Sequence, residues 1–262
     1  DARLTAVRRE QNLGFVRNCN RAIEDAAGDV VLLNSDTEVP DGWLERLRAL
    51  AHSSSRVGSV TPLSNNATIC SVPGWLGPNR YPPGVDLTLL DEAARAAGTG
   101  EWIELPTSVG FCVYYRRDAL EACGAFDEEL FGTGYGEEND LACRMRDHGY
   151  LNLLCDTLFV WHEGGVSFAE AGTGDLAGNL DRISTRWPRY HDVIRSFIQQ
   201  DPLWGVQARF GLELLRRTRA EGRRRVLYLV HHRLWAGIIG GTELHLSDLI
   251  AGLGERIDPV VL

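Results

Sequence analysis

The sequence predicts an α/β domain built on a mainly parallel sheet. Three observations carry that expectation: stretches with apolar residues at helical spacing alternate with short, continuous apolar runs; those runs end in polar turns; and the composition is that of a soluble globular chain. With 262 residues, 44% of them hydrophobic and 24% charged, the chain has room for one large domain or two modest ones.

Residues 14–27 place Phe15, Cys19, Ala22, Ile23, Ala26 and Ala27 at helical intervals before Gly28, a natural C-cap. The run Val30-Val31-Leu32-Leu33 follows and reads as a buried strand that stops at Asn34-Ser35-Asp36-Thr37. A helix opens after Pro40-Asp41 with Trp43, Leu44, Leu47 and Leu50 on one stripe. Residues 57–60 form a further strand. From residue 61 to about residue 100 the chain is rich in Pro, Gly, Asn and Ser and reads as an irregular segment over the active face, with a short helix over residues 91–97. Residues 109–115 are strand-like, residues 117–122 and 137–148 helical, and residues 151–154 and 158–161 two short strands. Residues 182–220 are amphipathic and helical, interrupted by Pro188 and Pro202. Beyond Arg223-Arg224-Arg225 a strand, a glycine-rich turn and a helix begin what reads as a second domain. The expected organisation is residues 1–200 as the main domain, 201–224 as a helical linker and 225–262 as the opening of another domain.

Composition removes several functions. A net charge of −9 argues against a nucleic-acid partner, which needs a basic face. All 27 basic residues are arginine, so neither a P-loop lysine nor a Schiff-base lysine is present. No two of the six cysteines make a C-x-x-C pair, and their apolar neighbours point to reduced thiols in a cytosolic setting. No apolar run reaches the roughly 18 residues of a membrane span.

Three segments carry chemistry. Asp36 follows a buried strand, where ligands of open α/β sheets bind. There a carboxylate beside Asn34, Ser35 and Thr37 suits a hard divalent cation, Mn²⁺ or Mg²⁺, against a diphosphate; by itself it suits a strand-end turn equally. In Gly132-Thr133-Gly134-Tyr135-Gly136-Glu137-Glu138-Asn139-Asp140, glycines permit close approach and three carboxylates gather at a helix start. The helix dipole favours acids there for stability alone, and one of them could deprotonate a hydroxyl. No apolar strand precedes these glycines, which rejects a dinucleotide fingerprint. In Trp161-His162-Glu163-Gly164-Gly165-Val166, the zincin pattern fails because Val166 stands where a histidine is required. A lone histidine at a strand end is, by itself, more often structural than functional.

In this order and spacing the segments resemble the inverting GT-A glycosyltransferases of glycosyltransferase family two, of the rhamnosyl- and O-antigen-type. The resemblance rests on Asn12-Leu13-Gly14-Phe15 with Asn18 and Asn20, Gly28-Asp29 to Thr37, Pro40 to Leu44, Arg116-Arg117 to Glu128, Tyr135 to Asp140 with Arg144 and Gly149-Tyr150, and His162 to Phe168, so it spans about residues 8–190. It implies a GT-A fold and a nucleotide-diphospho-sugar donor held at Asn12, Gly14, Asn34 and Ser35. It also implies a cation on Asp36 with His162, Glu138 as the base, and Glu137 and Asp140 beside it, Asp140 orienting the loop or the acceptor. Asn34 and Ser35 stand where relatives carry acids, so cation binding falls mainly on Asp36. Arg186-Trp187 resemble the end of the Q/R-x-x-R-W motif of processive synthases, but Ile183 departs from it, which favours single addition.

The acceptor implied is a glycan or lipid-linked hydroxyl in surface-polysaccharide assembly. The location implied is cytoplasmic, up to peripheral association with the inner face of the membrane. The resemblance also places a first strand before the Asn12 segment, so this piece is expected to lack part of its donor pocket. The tail, with His231-His232, Gly240-Gly241-Thr242-Glu243 and His245, resembles the opening of a GT-B glycosyltransferase. Two other readings stand beside this one: a degenerate GT-A domain that binds sugar or scaffolds a partner, and a metal-dependent nucleotidyltransferase.

Overall fold

A computed structural model describes residues 5–8, 10–75, 77–81, 84–132, 134–164, 176–218, 224–228, 241–253 and 256–261. The chain divides into two compact units, residues 1–213 and 214–262.

In the first unit five strands form one sheet in the order β1-β5-β3-β6-β4, namely Val30–Leu33, Cys112–Tyr115, Val57–Leu63, Leu151–Phe159 and Ile103–Glu104. Strands β1, β3 and β6 run one way and β5 and β4 run against them; only β3 and β6 are hydrogen-bonded in parallel. The sheet is therefore mixed, because antiparallel β5 lies between β1 and β3. A second, two-stranded ribbon pairs β2 (Thr37–Glu38) with β7 (Trp161–His162). The two strands expected over residues 151–161 are one continuous β6 followed by β7.

Alternation along the strands fixes the layers. Val30, Val113 and Tyr115 point to one face and form a core with Val16 and Ile23 of α1 (Gly14–Asp25), Ala119 and Leu120 of α4 (Arg117–Cys123) and Leu141 and Met145 of α6 (Glu137–Asp147). Against the sheet also pack α2 (Trp43–Ala51) and α3 (Leu87–Ala97). A short helix, α5 (Glu128–Phe131), precedes the acidic loop. Asn20 of α1 clasps the chain before α5 in a reciprocal pair: its Nδ2 donates to Phe126 O and its Oδ1 accepts from Phe126 N, each at 2.9 Å.

The amphipathic C-terminal stretch is three helices, α7 (Leu176–Arg186), α8 (Tyr190–Gln200) and α9 (Trp204–Arg217), broken as expected near Pro188 and Pro202. The stretch expected as a linker is, up to residue 213, part of the first unit. Val206 and Phe210 are buried, and the Phe210 ring stacks on Phe159 at 5.9 Å. All six cysteines are free thiols.

The second unit is a parallel β-α-β element: β8 (Arg224–Tyr228), α10 (Gly241–Leu253) and β9 (Ile257–Val261). His231, His232 and Gly240 lie outside the described residues. Among the described residues no helix is long and apolar enough to cross a membrane.

One buried carboxylate locks the sheet to two of its helices. Asp91 of α3 takes both guanidinium nitrogens of Arg46 from α2 at 2.9 Å, Arg95 Nε at 3.0 Å and the backbone N–H of Phe159 in β6 at 3.1 Å. It is 4% exposed, so removing it strands the largely buried Arg46 charge. Asp91→Ala should lower unfolding stability by about 3–5 kcal/mol, measured by urea denaturation, whereas Asp192→Ala on exposed α8 should change it by less than about 0.5 kcal/mol.

Candidate active site

The carboxyl edge of the sheet collects the polar turns. After β1, Ser35 and Asp36 make a turn into β2. After β3 come Ser64, Asn65 and Asn66. After β6, β7 carries His162 into Glu163 and Gly164. The β2–β7 ribbon sets Thr37 opposite His162 and so brings two residues far apart in sequence to one place.

There His162 Nε2 lies 3.6 Å from Asp36 Oδ2, with the side chains only 15% and 10% exposed. That distance is too long for a hydrogen bond. Gly164 N donates to the same Asp36 oxygen at 3.2 Å, while Asp36 Oδ1 is buried without a hydrogen-bond partner. The imidazole is fixed from behind. Its Nδ1 donates to the carbonyl oxygen of Asn66 at 2.7 Å, which leaves Nε2 as the ring nitrogen on the Asp36 side. Phe111 stacks on the ring at 5.2 Å. Asn65 grips the backbone of His162 both ways, accepting from its N–H and donating to its C=O, each at 2.8 Å.

An imidazole nitrogen and a carboxylate 3.6 Å apart, with the second carboxylate oxygen buried and unpaired, make a donor set that fits a divalent cation. The carbonyl behind Nδ1 is the support a metal-bound histidine uses. Among the described residues no cluster of three or more His, Cys, Asp or Glu forms, so Asp36 and His162 are the two protein groups that would hold the ion, leaving the rest of its shell to ligand oxygens.

The acidic loop stands across the segment before β5. Gly110 faces the Glu138 side chain (a Cβ there would lie 3.8 Å from Glu138 Cγ), and the next residue is the Phe111 that covers His162. Gly132, Gly134 and Gly136 all have positive φ, and so does Tyr135, at +74°, which costs a non-glycine residue about 1–2 kcal/mol.

The three acids that look alike in sequence have different surroundings. Asp140 is fully buried and fully engaged: Arg144 Nε at 2.8 Å, Trp187 Nε1 at 2.8 Å and Arg186 Nε at 3.3 Å all meet its oxygens. Glu138 is half-buried, accepting from Gly136 N at 3.3 Å and Asn139 Nδ2 at 3.4 Å. Burial raises its proton affinity above the ordinary carboxylate range, and those hydrogen bonds oppose the rise. Glu137 is buried, with Oε2 unpaired. Burial first, then the Glu138 charge, push its pKa up to about 8.

Among the residues expected to hold the donor, Asn34 and Ser35 flank Asp36. Asn34 is tied by its own N–H to Phe111 O at 2.9 Å and by its C=O to the Thr37 hydroxyl at 2.6 Å. Asn12 and Gly14 lie elsewhere: Asn12 Oδ1 accepts from Gly14 N at 2.9 Å at the head of α1, whose Phe15 borders Gly134 of the acidic loop. Residues 165–168 of the His162 segment, and Thr133, lie outside the described residues. Sequence reasoning missed Asn65, Asn66, Gly110 and Phe111. A polar Ser64-Asn65-Asn66 turn directly after a buried strand was the available signal for the first two.

Known proteins bear on part of this site. Residues 1–124 match the model of Glycosyl transferase family 2. That match includes Asp36 and ends before Glu138 and His162. With the topology above, it makes the first unit the GT-A-like α/β fold expected from the sequence. The O-antigen biosynthesis protein RfbC of Myxococcus xanthus is 26% identical over 185 residues, covering 65% of this chain; the chain spans 14% of that protein's length. Among solved structures, GalNAc-T7 with UDP, GalNAc and Mn²⁺ is 16% identical with a TM-score of 0.49, over 71% of this chain and 38% of that one. The mannosyltransferase PcManGT from Pyrobaculum calidifontis, with GDP-Man and Mn²⁺, is 14% identical with a TM-score of 0.40, over 81% of this chain and 68% of that one.

The Glu137 environment has a consequence for stability. Its folded pKa, about 8, lies above the ordinary 4.5, so unfolding releases a proton between those values and stability falls as pH rises through that window. Glu137→Gln should remove this component: its urea midpoint should change less between pH 5 and pH 9 than that of the parent and should exceed it at pH 9.

Proposed function

We propose that this chain is the catalytic part of a metal-dependent, inverting glycosyltransferase that moves a sugar from a nucleoside-diphosphate donor to a hydroxyl of a glycan or lipid-linked acceptor, in surface-polysaccharide assembly. The observation that carries the reading is the Asp36–His162 pair, with Nε2 lying 3.6 Å from Asp36 Oδ2 and the other carboxylate oxygen, Oδ1, buried and unpaired. The family match over the Asp36 segment and the likeness to an O-antigen biosynthesis protein support it.

Asp36 and His162 hold the cation, Mn²⁺ or Mg²⁺, while Asn34 and Ser35 border the donor. When bound, the ion offsets the negative charge of the departing diphosphate. Glu138 accepts the proton of the acceptor hydroxyl at a carboxylate oxygen. The hydroxyl oxygen bonds to the anomeric carbon on the face opposite the nucleotide as the bond to the diphosphate oxygen breaks, with inversion. A carboxylate whose proton affinity burial has raised is a stronger base for that step. Asp140, with its oxygens engaged by Arg144, Arg186 and Trp187, orients the loop. Glu137 stands beside the base with its proton held. Asn12 and Gly14 border the acidic loop through α1, and we assign them to the donor side of the cleft. The second unit, a β-α-β element, is the opening of a GT-B-type partner domain in this reading. The whole protein is assigned to the cytoplasm, at the periphery of the inner membrane face.

Titration calorimetry of the natural full-length protein with UDP, dTDP and GDP, each with and without Mn²⁺, tests the cation site. One nucleotide should bind only with metal, and Asp36→Asn should weaken it by tenfold or more, about 1.4 kcal/mol. Absence of metal-dependent binding to every nucleotide would sink the enzyme reading in favour of a degenerate sugar-binding or scaffold domain. Glu138→Gln should leave nucleotide affinity within about twofold and lower kcat by about 10²–10⁴-fold; an equal loss of both would remove Glu138 from the role of base.

A further inference from the structure

The acidic loop is held from outside by one face of one helix. Along α7 and its last turn, Asn179, Ile183, Arg186 and Trp187 follow at intervals of four, three and one, and the first, second and last share a stripe. All four meet the segment between Gly134 and Asp140. Asn179 is 3% exposed, and its Nδ2 donates to Gly134 O at 2.5 Å. Ile183 packs against Gly136 so tightly that a Cβ there would sit 3.2 Å from its Cγ1. Trp187 Nε1 and Arg186 Nε close on Asp140 Oδ1, and Arg186 Nη1 also reaches Asp127 Oδ2 at 2.7 Å. The bonds therefore fall on both sides of Glu138, at Gly134 before it and at Asp140 after it.

The loop depends on such support. Glycines at 132, 134 and 136 leave its backbone permissive, and Tyr135 sits at positive φ, a conformation that persists only where its surroundings over-determine it. The contacts along α7 supply part of that determination, beside Phe131 packed against Gly136 and the Thr107 hydroxyl on Asn139, while neither Asn179 nor Trp187 belongs to the Asp36–His162 gap.

We propose that α7 is a clasp that sets the position of the Glu138 carboxylate, with Asn179 and Trp187 as positioning residues for proton transfer. The proposal rests on the reading of Glu138 as the base. Displacement of a reacting group by about 1 Å costs on the order of 10²-fold in rate, so losing one anchor acts on turnover before it acts on binding.

Two variants of the natural full-length protein test it independently. Trp187→Phe keeps an aromatic ring and removes one N–H donor; Asn179→Ala removes the other anchor and keeps a good helix former. Each is compared with the parent for amide hydrogen exchange across residues 132–140, for nucleotide–Mn²⁺ affinity, and for kcat, acceptor KM and the pH dependence of kcat. The expected result has four parts. Exchange in 132–140 is about tenfold faster or more, while β1 and β6 are unchanged; nucleotide affinity stays within about twofold; kcat falls about 10–100-fold with acceptor KM nearly constant; and the acidic limb of the kcat profile is displaced. Unchanged exchange in 132–140 would overturn the clasp. Faster exchange with unaltered kcat, or nucleotide affinity falling in step with kcat, would overturn the positioning role. If the parent itself transfers no sugar, the base reading has failed and the catalytic part falls with it; the exchange data still decide the clasp.

Discussion

The cation site proposed for this chain depends on a two-residue ribbon. Thr37 and Glu38 pair with His162 and Trp161, and without that pairing Asp36 and His162 would be unrelated turns at the ends of two strands. The ribbon is too short to be stable alone. It is held because both partners continue from strands of the main sheet, and because Asn65 and Asn66 bind the His162 side from the turn after β3. The Asp91 cluster fixes the other end of this arrangement by tying Phe159, three residues before His162, to α2 and α3. A buried ion cluster on one side of the sheet thus sets the height at which the histidine leaves it.

The acidic segment shows how packing separates chemically similar groups. Asp140 has partners for both oxygens, two of them guanidinium groups, so its charge is neutralised locally and its geometry is fixed. Glu137 lacks such partners and lies under burial and a neighbouring negative charge, which holds its proton on. Glu138 stands between these extremes, partly open and hydrogen-bonded only weakly. A helix N-terminus favours all three alike. Their division of labour comes from tertiary contacts instead.

Much of this was legible beforehand, for identifiable reasons. Asp36 and His162 each follow an apolar run, and the position of a polar residue just past a buried strand is a local property. The helices over residues 43–51 and 137–147 were legible because their apolar stripes repeat at 3.6 residues. The direction of β5 was not: a continuous apolar run reports burial and is silent about orientation, so an antiparallel strand was folded into a mainly parallel expectation. The ribbon strands, two residues each, are shorter than any periodicity. The roles of Asn65 and Asn66 depend on partners about a hundred residues away. Likewise nothing local in Glu137-Glu138-Asn139-Asp140 tells that Arg186 and Trp187 converge on the last of them, whereas Arg144, four residues on along the same helix, follows from helix spacing.

Gly110 and Phe111 are consecutive, yet one lies against the Glu138 side chain and the other covers the His162 ring. Two neighbouring residues share a rigid peptide plane, so a reorientation of that plane moves both. Variation here touches both halves of the cleft. Among the described residues the turn at residues 64–66 binds the histidine side, and α7 binds the acidic side. Diversification of this scaffold, natural or by design, therefore has two independent dials at its margins and a single rigid hinge-pin in the middle.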